Sequence, residues 1–214
     1  MSSSPLHSGI ELSKVGKKYN YQWIFKNLSY SFLPAQSYAI LGNNGSGKST
    51  MLKVICGLLQ PDNGSVDMYQ NGQKIPEAQF YRHLHLITPE LHLDDYFTLV
   101  ELLKFHQSFK VLKKGIDLSA MIEEANLQHA RNRILKDYSS GMKQKVKLLL
   151  AFCFEAAFIC LDEPTAFLDT SGIAWYRKQI QKLLEDSNQC LIVASNTAHE
   201  YDFCTSSIKV SDCR

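Results

Sequence analysis

Short apolar runs alternate along this chain with longer stretches in which apolar residues recur every three or four positions. Residues 38–41, 157–161 and 190–194 carry no charged side chains, which is typical of strands buried on both faces. Residues 48–59 and 172–184 instead have the spacing of helices. This alternation of buried strands and helices predicts an α/β layer fold with a mainly parallel central sheet.

Two regions depart from that alternation. Residues 10–33 alternate loosely between apolar and polar positions, as short half-buried strands do. Residues 99–153 are mostly helical in pattern and stand between strands, which predicts a helical lobe inserted into the sheet domain. We therefore expect a single domain over the whole chain (1–214), with a core of about 1–88 and 154–214 and an inserted subdomain of about 89–153.

The composition is that of an ordinary folded protein. Of the 214 residues, 45% are hydrophobic and 21% are charged, which excludes a disordered or fibrous chain. The net charge of +2 is too balanced for a protein that binds nucleic acid mainly through a basic surface. The 6 cysteines lack C-x-x-C spacing, which indicates reduced structural thiols rather than a zinc or redox site.

The sequence contains no pattern typical of a membrane-spanning or secreted protein. No window approaches 18 consecutive apolar residues, because Glu155 interrupts the nearest candidate at 148–161. Residues 1–11 are Ser-rich and polar, and they lack the basic-then-apolar pattern of a secretory signal. We therefore expect a cytoplasmic location.

The most informative motif lies between the strand at 38–41 and the helix that follows it. It reads G-N-N-G-S-G-K-S-T and matches the phosphate-loop pattern G-x-x-x-x-G-K-[ST] in full. Glycines let backbone N–H groups surround phosphate oxygens, and the helix points its positive end at the same anion. Lys48 is expected to reach the β- and γ-phosphates, and Ser49 to bind Mg²⁺. The predicted ATP-binding residues of this loop are Gly42, Asn43, Asn44, Gly45, Ser46, Gly47, Lys48, Ser49 and Thr50.

Two carboxylates follow the apolar run at 157–161. A buried strand would deliver Asp162 and Glu163 to the carboxyl edge of the sheet, where open α/β folds bind their ligands. Asp162 is expected to hold Mg²⁺ directly or through water, and Glu163 to orient or deprotonate the attacking water. Together with the phosphate loop, this Walker B pattern predicts an ATPase in which Lys48 and Glu163 are catalytic.

A third motif precedes the acid pair. The string Y-S-S-G-M-K-Q-K at 138–145 resembles the L-S-G-G-x-x-Q-R signature of the nucleotide-binding domain of ABC transporters, which other phosphate-loop ATPases lack. The helix that follows is expected to bury one face and to leave its lysines in water. The resemblance covers nearly the whole chain, about 10–210. It implies a phosphate-loop NTPase fold with a mainly parallel central sheet, an N-terminal antiparallel β-region and an inserted helical lobe.

The resemblance also implies that two copies act together. In the family, the signature faces the ATP bound by a second domain, so that two ATP molecules are held between the two domains. Asp169 matches the D-loop that crosses this interface. Ser140 stands where the family usually has glycine. The residues implied to face the partner's ATP are Ser139, Ser140, Gly141 and Gln144.

Three more positions follow from the resemblance, and two of them depart from the family pattern. Tyr19 stands where the family places an aromatic ring on adenine, with Tyr21 and Trp23 as close alternatives. Glu90 replaces the usual Gln that binds Mg²⁺ or its water, unless the alignment shifts by one residue. Asn196 replaces the usual His at the γ-phosphate, and an amide donates a hydrogen bond but takes up no proton near neutral pH. Either Asn196 suffices as a catalytic γ-phosphate sensor, or hydrolysis is slowed.

Taken together, the motifs and the resemblance imply an ATP-binding and ATP-hydrolysing subunit of a small exporter-type ABC transporter, with ATP and Mg²⁺ as its ligands. The expected partners are a second ATPase domain, in a homodimer, and separate integral membrane subunits; no nucleic acid is expected. The expected location is cytoplasmic, at the inner face of the membrane through those subunits. Two alternatives stay open, namely a soluble ABC ATPase outside transport and a regulatory nucleotide-binding module that hydrolyses ATP weakly.

Overall fold

The computed structural model describes residues 8–186 and 188–213, so most of the polar N-terminal stretch interpreted above lies outside the described residues. The strands of the described part are β1 (Gly9–Tyr19), β2 (Gln22–Phe32), β3 (Ser37–Leu41), β4 (Asn63–Gln70), β5 (Gln73–Ile75), β6 (Leu84–Ile87), β7 (Phe158–Asp162), β8 (Cys190–Ser195) and β9 (Ser206–Lys209). Its α-helices are α1 (Lys48–Ile55), α2 (Phe80–His83), α3 (Leu99–Gln107), α4 (Leu118–Glu124), α5 (Ser140–Cys153) and α6 (Thr170–Asp186). None of the helices in this described part combines the length and the apolar character that a membrane crossing requires.

The chain divides into two compact units. The first consists of Met1–Leu86, Ala157–Asp162 and Asn188–Arg214, and the second of Ile87–Ala156 and Glu163–Ser187. Each unit is therefore assembled from segments that are distant in sequence. The core and lobe boundaries expected from the sequence stay a prediction.

The first unit contains an antiparallel and a parallel sheet. The four-stranded sheet has the order β2-β1-β4-β5, and each of its neighbouring pairs is antiparallel. The five-stranded sheet has the order β6-β7-β8-β3-β9, in which β7, β8, β3 and β9 pair in parallel. The mainly parallel sheet and the antiparallel N-terminal region are thereby confirmed. Because β3 and β7 are parallel strands of one sheet, the segments that follow them leave the sheet at the same edge.

One apolar core joins the two sheets and α1. Its fully buried side chains include Ile10 and Phe32 from the antiparallel sheet, Met51 from α1, and Cys160 and Ile192 from the parallel sheet. Removing such side chains from water is the main stabilising contribution to a fold, at about 25 cal/mol per Å² of apolar surface. The core therefore fixes the carboxyl ends of the parallel strands, from which the phosphate loop and the acid pair project.

Helix α1 ends earlier than its apolar spacing predicted. The pattern predicted a helix over 48–59, whereas α1 ends at Ile55. Gly57 adopts a left-handed φ of 73°, and the N–H group of Leu58 donates to the carbonyl oxygen of Lys53 at 2.9 Å. This Schellman closure turns the backbone out of the helix, and glycine adopts the required φ without strain. The expected boundary was wrong because apolar side chains continue after the backbone has turned.

The second unit is mostly helical, as its pattern predicted. Helices α3 to α6 are joined by loops that include the 3-10 turns Gln128–Ala130 and Leu135–Asp137. Thr98 and Glu101 form a capping box that starts α3. The expectation that the lysines of α5 stay in water is wrong for Lys147, which is 7% exposed. Hydrogen bonds from its ammonium to two backbone carbonyl groups, described below, offset part of the cost of this burial.

Candidate functional site

The phosphate loop connects β3 to α1 at the carboxyl edge of the parallel sheet. β3 is buried from Ser37 to Ile40, and α1 begins at Lys48. The Lys48 side chain is buried, and its Nζ donates to the carbonyl oxygens of Gly42 at 2.9 Å and Asn43 at 3.2 Å. These two contacts hold a full positive charge against the loop that was predicted to bind phosphates.

The backbone of the loop requires glycine at two positions. Gly45 has a φ of 75° and Gly47 a φ of 106°, both in the region that residues with a side chain rarely adopt. A Cβ atom at Gly47 would stand 2.0 Å from Cγ2 of Ile24, whereas nothing lies within 4 Å of a Cβ at Gly45. Turns of this kind direct successive N–H groups to one side and form an anion-binding concavity. The Oγ atom of Ser46 is buried without a hydrogen-bond partner, so the loop fits a site that a bound anion completes.

A cavity of about 500 Å³ adjoins the loop. Its walls include Asn44 and Ser46 from the loop and Asn196 from the segment after β8. The Asn196 Nδ2 atom donates to Oδ1 of Asn44 at 2.8 Å. Asn196, predicted as the γ-phosphate sensor, therefore lies in direct contact with the phosphate loop.

Lys209 lines the same cavity and was not anticipated from the sequence. It is the last residue of β9 and lies opposite Leu41 in the parallel register, directly before the loop. No sequence motif surrounds it, because its position depends on the pairing of two strands that are far apart in the chain. The pairing brings a positively charged side chain to the wall of the cavity.

The acid pair lies at the end of β7, a strand that is buried along its whole length. Asp162 is buried and lies opposite Ala194 of β8. Glu163 follows with a left-handed φ of 45°, which is uncommon for a residue with a side chain. Unfavourable backbone conformations of this kind concentrate at functional positions. The chain thus turns sharply at the residue predicted to activate water.

The loop after Glu163 is held by a buried side chain of α5. The N–H group of Ala166 donates to the Glu163 carbonyl at 3.0 Å, which closes the first turn of the loop. Gln144 is 1% exposed, and its Nε2 atom donates to the carbonyl oxygen of Pro164 at 2.8 Å. The sequence predicted that Gln144 faces the nucleotide of a second copy. It lies on the inner face of α5 and contacts its own chain, and its role toward the nucleotide of a second copy stays a prediction.

Asp169 lies at the start of α6. Its Oδ1 atom accepts hydrogen bonds from the N–H group of Gly172 at 2.7 Å and from the hydroxyl of Ser171 at 2.9 Å. The Gly172 N–H group and then the Ser171 hydroxyl lower the pKa of Asp169, because both stabilise the charged form. The predicted D-loop acid is therefore an exposed carboxylate that caps a helix.

The signature begins α5, a helix of 14 residues. The Ser139 Oγ atom accepts a hydrogen bond from the N–H group of Met142 at 3.2 Å, and Ser139 and Ser140 are exposed. Gly141 lies against the loop that leads to Asp169, because a Cβ there would stand 2.7 Å from a carbonyl oxygen of that loop. Hydroxyl and N–H groups are thus presented to solvent at the positive end of a helix, which suits an anion.

Glu90 lies on a tight turn that starts at Thr88. The N–H group of Leu91 donates to the Thr88 carbonyl at 3.1 Å, with Pro89 at the second position, as turns favour. Glu90 at the third position is exposed. The Nζ atom of Lys147 donates to the carbonyl oxygens of Pro89 at 2.8 Å and Thr88 at 3.3 Å. Sequence reasoning missed this contact, since the polar pattern of α5 does not distinguish one lysine from another.

The three aromatic residues predicted as candidates for stacking on the adenine ring differ in exposure. Tyr19 is 47% exposed at the end of β1, with the Nζ atom of Lys17 5.7 Å from its ring centre. Tyr21 is 96% exposed and lies at the tip of the β1–β2 hairpin. Trp23 is half-buried, with Lys18 over its ring at 5.4 Å. Tyr19 and Tyr21 are thus more exposed than Trp23, and the assignment of Tyr19 stays a prediction.

The predicted residues form two groups, one in each unit. The first unit carries the phosphate loop, Asp162, Asn196 and Tyr19. The second carries Glu90, the signature residues, Glu163 and Asp169. Within the first unit the phosphate loop contacts Asn196. Within the second, α5 contacts the Glu90 turn and the loop that follows Glu163.

Comparison with known proteins finds one family model and several relatives that are similar to most of this chain. The model of a family described as ABC transporter matches residues 25–166. The chain is 30% identical over 202 residues to the uncharacterized ABC transporter ATP-binding protein YhcH of Bacillus subtilis (strain 168), covering 90% of this chain and 63% of that protein. It is 30% identical over 188 residues to the Nod factor export ATP-binding protein I of Burkholderia orbicola (strain AU 1054), covering 86% and 61%. It is 26% identical over 194 residues to the spermidine/putrescine import ATP-binding protein PotA of Mycoplasma capricolum, covering 89% and 55%.

This chain spans 55% to 63% of the length of those three relatives. Solved structures show the same fold at lower identity. An ATP binding subunit of an ABC transporter superposes with a TM-score of 0.82 at 24% identity, covering 94% of this chain and 85% of that one. The dimeric structure of MJ0796, a bacterial ABC transporter cassette, superposes with a TM-score of 0.79 at 22% identity, covering 94% of each chain. The predicted fold class is confirmed.

Proposed function

The chain belongs to the ABC transporter family, and on that basis we propose that it is an ATP-binding and ATP-hydrolysing subunit of a transporter. The observation that carries the proposal is the phosphate loop between β3 and α1, where Lys48 is held 2.9 Å from the Gly42 carbonyl. A buried ammonium, two left-handed glycines and a helix N-terminus at one loop form a site for an oligophosphate. The nucleotide we assign to it is ATP.

Binding is the first task of these residues. The loop N–H groups surround the phosphates, and Lys48 exchanges its two carbonyl contacts for phosphate oxygens. The Ser46 hydroxyl, which is buried without a partner, gains one. An exposed Tyr19 ring offers a stacking face for the base.

The residues proposed for Mg²⁺ are hard oxygen donors, which suit this ion. They are the Ser49 hydroxyl in the first turn of α1, the Asp162 carboxylate at the end of β7, and the Glu90 carboxylate on its turn. Residues 8–186 and 188–213 contain no group of three or more His, Cys, Asp or Glu side chains able to hold a metal ion by themselves. Phosphate oxygens of the nucleotide and water would complete the coordination of the ion. When bound, Mg²⁺ neutralises charge on the β- and γ-phosphate oxygens.

Hydrolysis is assigned to three side chains. Glu163 orients the attacking water and accepts its proton, which is the role of a general base. Lys48 stabilises negative charge on the terminal phosphate in the transition state. Asn196 donates a hydrogen bond from its amide to a γ-phosphate oxygen, in place of its contact with Asn44.

A second copy of the chain completes the site in this proposal. Ser139 and Ser140 are exposed at the positive end of α5 and offer hydroxyl and N–H groups to the nucleotide of the other copy. Asp169 is an exposed carboxylate on the adjoining loop and lies at the interface between copies. ATP then links the two copies, and its hydrolysis releases them.

We assign the membrane passage to separate membrane-spanning subunits and the location of this chain to the cytoplasmic face of the membrane. The names of relatives in this family, which include both export and import proteins, support transport without a direction. Export stays a prediction from the sequence, based on Glu90 and Asn196.

ATP hydrolysis measured on the purified chain and on the complex isolated from membranes tests the proposal. We expect the tagged chain to co-purify with a membrane-spanning protein and the complex to hydrolyse ATP on the order of 1 to 10 times per second. The specific alternative is a regulatory module, which is favoured by Asn196 because its amide cannot accept a proton near neutral pH. ATP binding without turnover in the complex would support that alternative, and co-purification with ribosomes or DNA would contradict the transport role.

A further inference from the structure

Lys147 is a buried cation whose partners are neutral. Its Nζ atom donates to the carbonyl oxygens of Pro89 and Thr88, and no carboxylate in the described part of the chain pairs with it. Burial lowers the pKa of the Lys147 ammonium, and the charge of Lys143 lowers it further. Burying an ammonium without an opposite charge costs stability. The packing of α5 alone therefore does not account for a lysine at this buried position.

Both of its partners belong to the turn that carries Glu90. The Thr88 carbonyl already accepts the turn-closing hydrogen bond from Leu91, and Lys147 adds a second donor to the same oxygen. The Pro89 carbonyl, one residue before Glu90, receives the shorter contact of 2.8 Å. The ammonium thus holds the peptide group that leads into Glu90 and the peptide group before it.

The same face of α5 also contacts the loop that follows Glu163. Gln144 precedes Lys147 by three positions, and residues three apart on a helix lie on one face. Its amide donates to the carbonyl of Pro164, the residue directly after Glu163. The exposed Ser139 that starts α5 lies about 12 Å along the helix from Lys147. One rigid helix therefore carries the signature at its start and anchors both loops by its buried face.

We propose that Lys147 is a positioning residue for Glu90, which fixes the Glu90 turn to the helix that begins with the signature. The inference rests on the proposed function, in which Glu90 is a ligand of Mg²⁺ in the nucleotide complex. Lys147 touches neither nucleotide nor metal in this role. It holds the turn in place, so that Glu90 is oriented before the nucleotide arrives.

The Lys147→Met variant tests the inference in the full chain. Methionine keeps the length and apolar stem of lysine and removes the donors. Without nucleotide, amide hydrogen exchange at Leu91 should become about tenfold faster or more, because a charge-assisted anchor of the turn is lost. In the presence of ATP, the Mg²⁺ concentration that gives half of the thermal stabilisation should rise several-fold, while stabilisation by metal-free ATP stays unchanged.

Two comparisons separate positioning from a purely structural role. Lys182→Met removes a lysine of the same unit whose Nζ lies 3.2 Å from Glu124 at the surface, and it should change neither measurement. In a Glu90→Gln background, Lys147→Met should no longer shift the Mg²⁺ dependence, because the residue on which it acts is already disabled. If Lys147→Met does not fold, Lys147→Arg replaces it, because arginine keeps the charge but displaces the donors. This variant should shift the Mg²⁺ dependence less than Lys147→Met does. In the Glu90→Gln background that smaller shift should also disappear.

Each contrary outcome has one meaning. Unchanged exchange at Leu91, or a Mg²⁺ shift that persists in the Glu90→Gln background, would overturn the positioning role. If the wild type and both Lys147 variants bind Mg-ATP with the same Mg²⁺ dependence, the positioning role is overturned. The proposed function is then unaffected. A wild-type chain that does not bind Mg-ATP at all would overturn the proposed function as well.

Discussion

A Glu163→Gln variant should bind ATP as the wild type does and hydrolyse it about 10²- to 10⁴-fold more slowly, which is the usual contribution of a general base. Glutamine keeps the size of the side chain and its position after β7, but it cannot accept a proton from water. The ATP-bound pair of copies should therefore persist. Steady-state turnover and light scattering in Mg-ATP measure the two effects.

Glu185→Gln is the matched control, because it makes the same change at an exposed position of α6. It should leave turnover and oligomeric state as in the wild type. If Glu163→Gln hydrolyses ATP at the wild-type rate, Glu163 is not the base. If it neither hydrolyses ATP nor forms an ATP-dependent dimer, the role proposed for the second copy is refuted.

A Gly47→Ala substitution should destabilise the chain by about 3 kcal/mol or more. Its Cβ atom would stand 2.0 Å from Cγ2 of Ile24, a β-branched side chain that cannot rotate away freely. Overpacking typically costs about 1–3 kcal/mol, and a left-handed backbone conformation adds about 1–3 kcal/mol. Urea unfolding followed by circular dichroism gives the loss of unfolding free energy.

Gly45→Ala separates the two causes of that loss. Its φ of 75° is also left-handed, but nothing lies within 4 Å of its Cβ. Only the backbone cost applies, so the loss should be about 1–2 kcal/mol and smaller than at Gly47. Equal losses at the two positions would show that contact with Ile24 does not explain the requirement for Gly47.

The phosphate loop and the acid pair could be predicted from the sequence because their geometry is local. A buried strand, a glycine-rich turn and a helix follow one another without interruption between β3 and α1. The hydrophobic run of β7 likewise predicts where Asp162 emerges. For such segments, the periodicity of side chains and the conformational needs of glycine determine the structure.

The roles of Gln144 and Lys147 could not be predicted in this way. A pattern of polar and apolar positions treats both as solvent-facing, whereas each is buried against a backbone carbonyl of a distant loop. The acceptors are the backbone carbonyl groups of Pro164 and Pro89. Because every residue has a carbonyl group, the pattern of side chains cannot predict which of them accepts a hydrogen bond. The position of Lys209 beside the phosphate loop depends on strand order, which the sequence does not encode locally.

The central claim is that Lys48 and the amides of its loop hold the phosphates of ATP. The most direct measurement is thermal unfolding of the wild type and of Lys48→Ala with increasing Mg-ATP. The wild type should be stabilised by about 2.7 kcal/mol when the ligand reaches a hundredfold excess over its dissociation constant, and Lys48→Ala should show no such gain. A wild-type chain that millimolar Mg-ATP leaves unprotected, or equal protection of both proteins, would contradict the account.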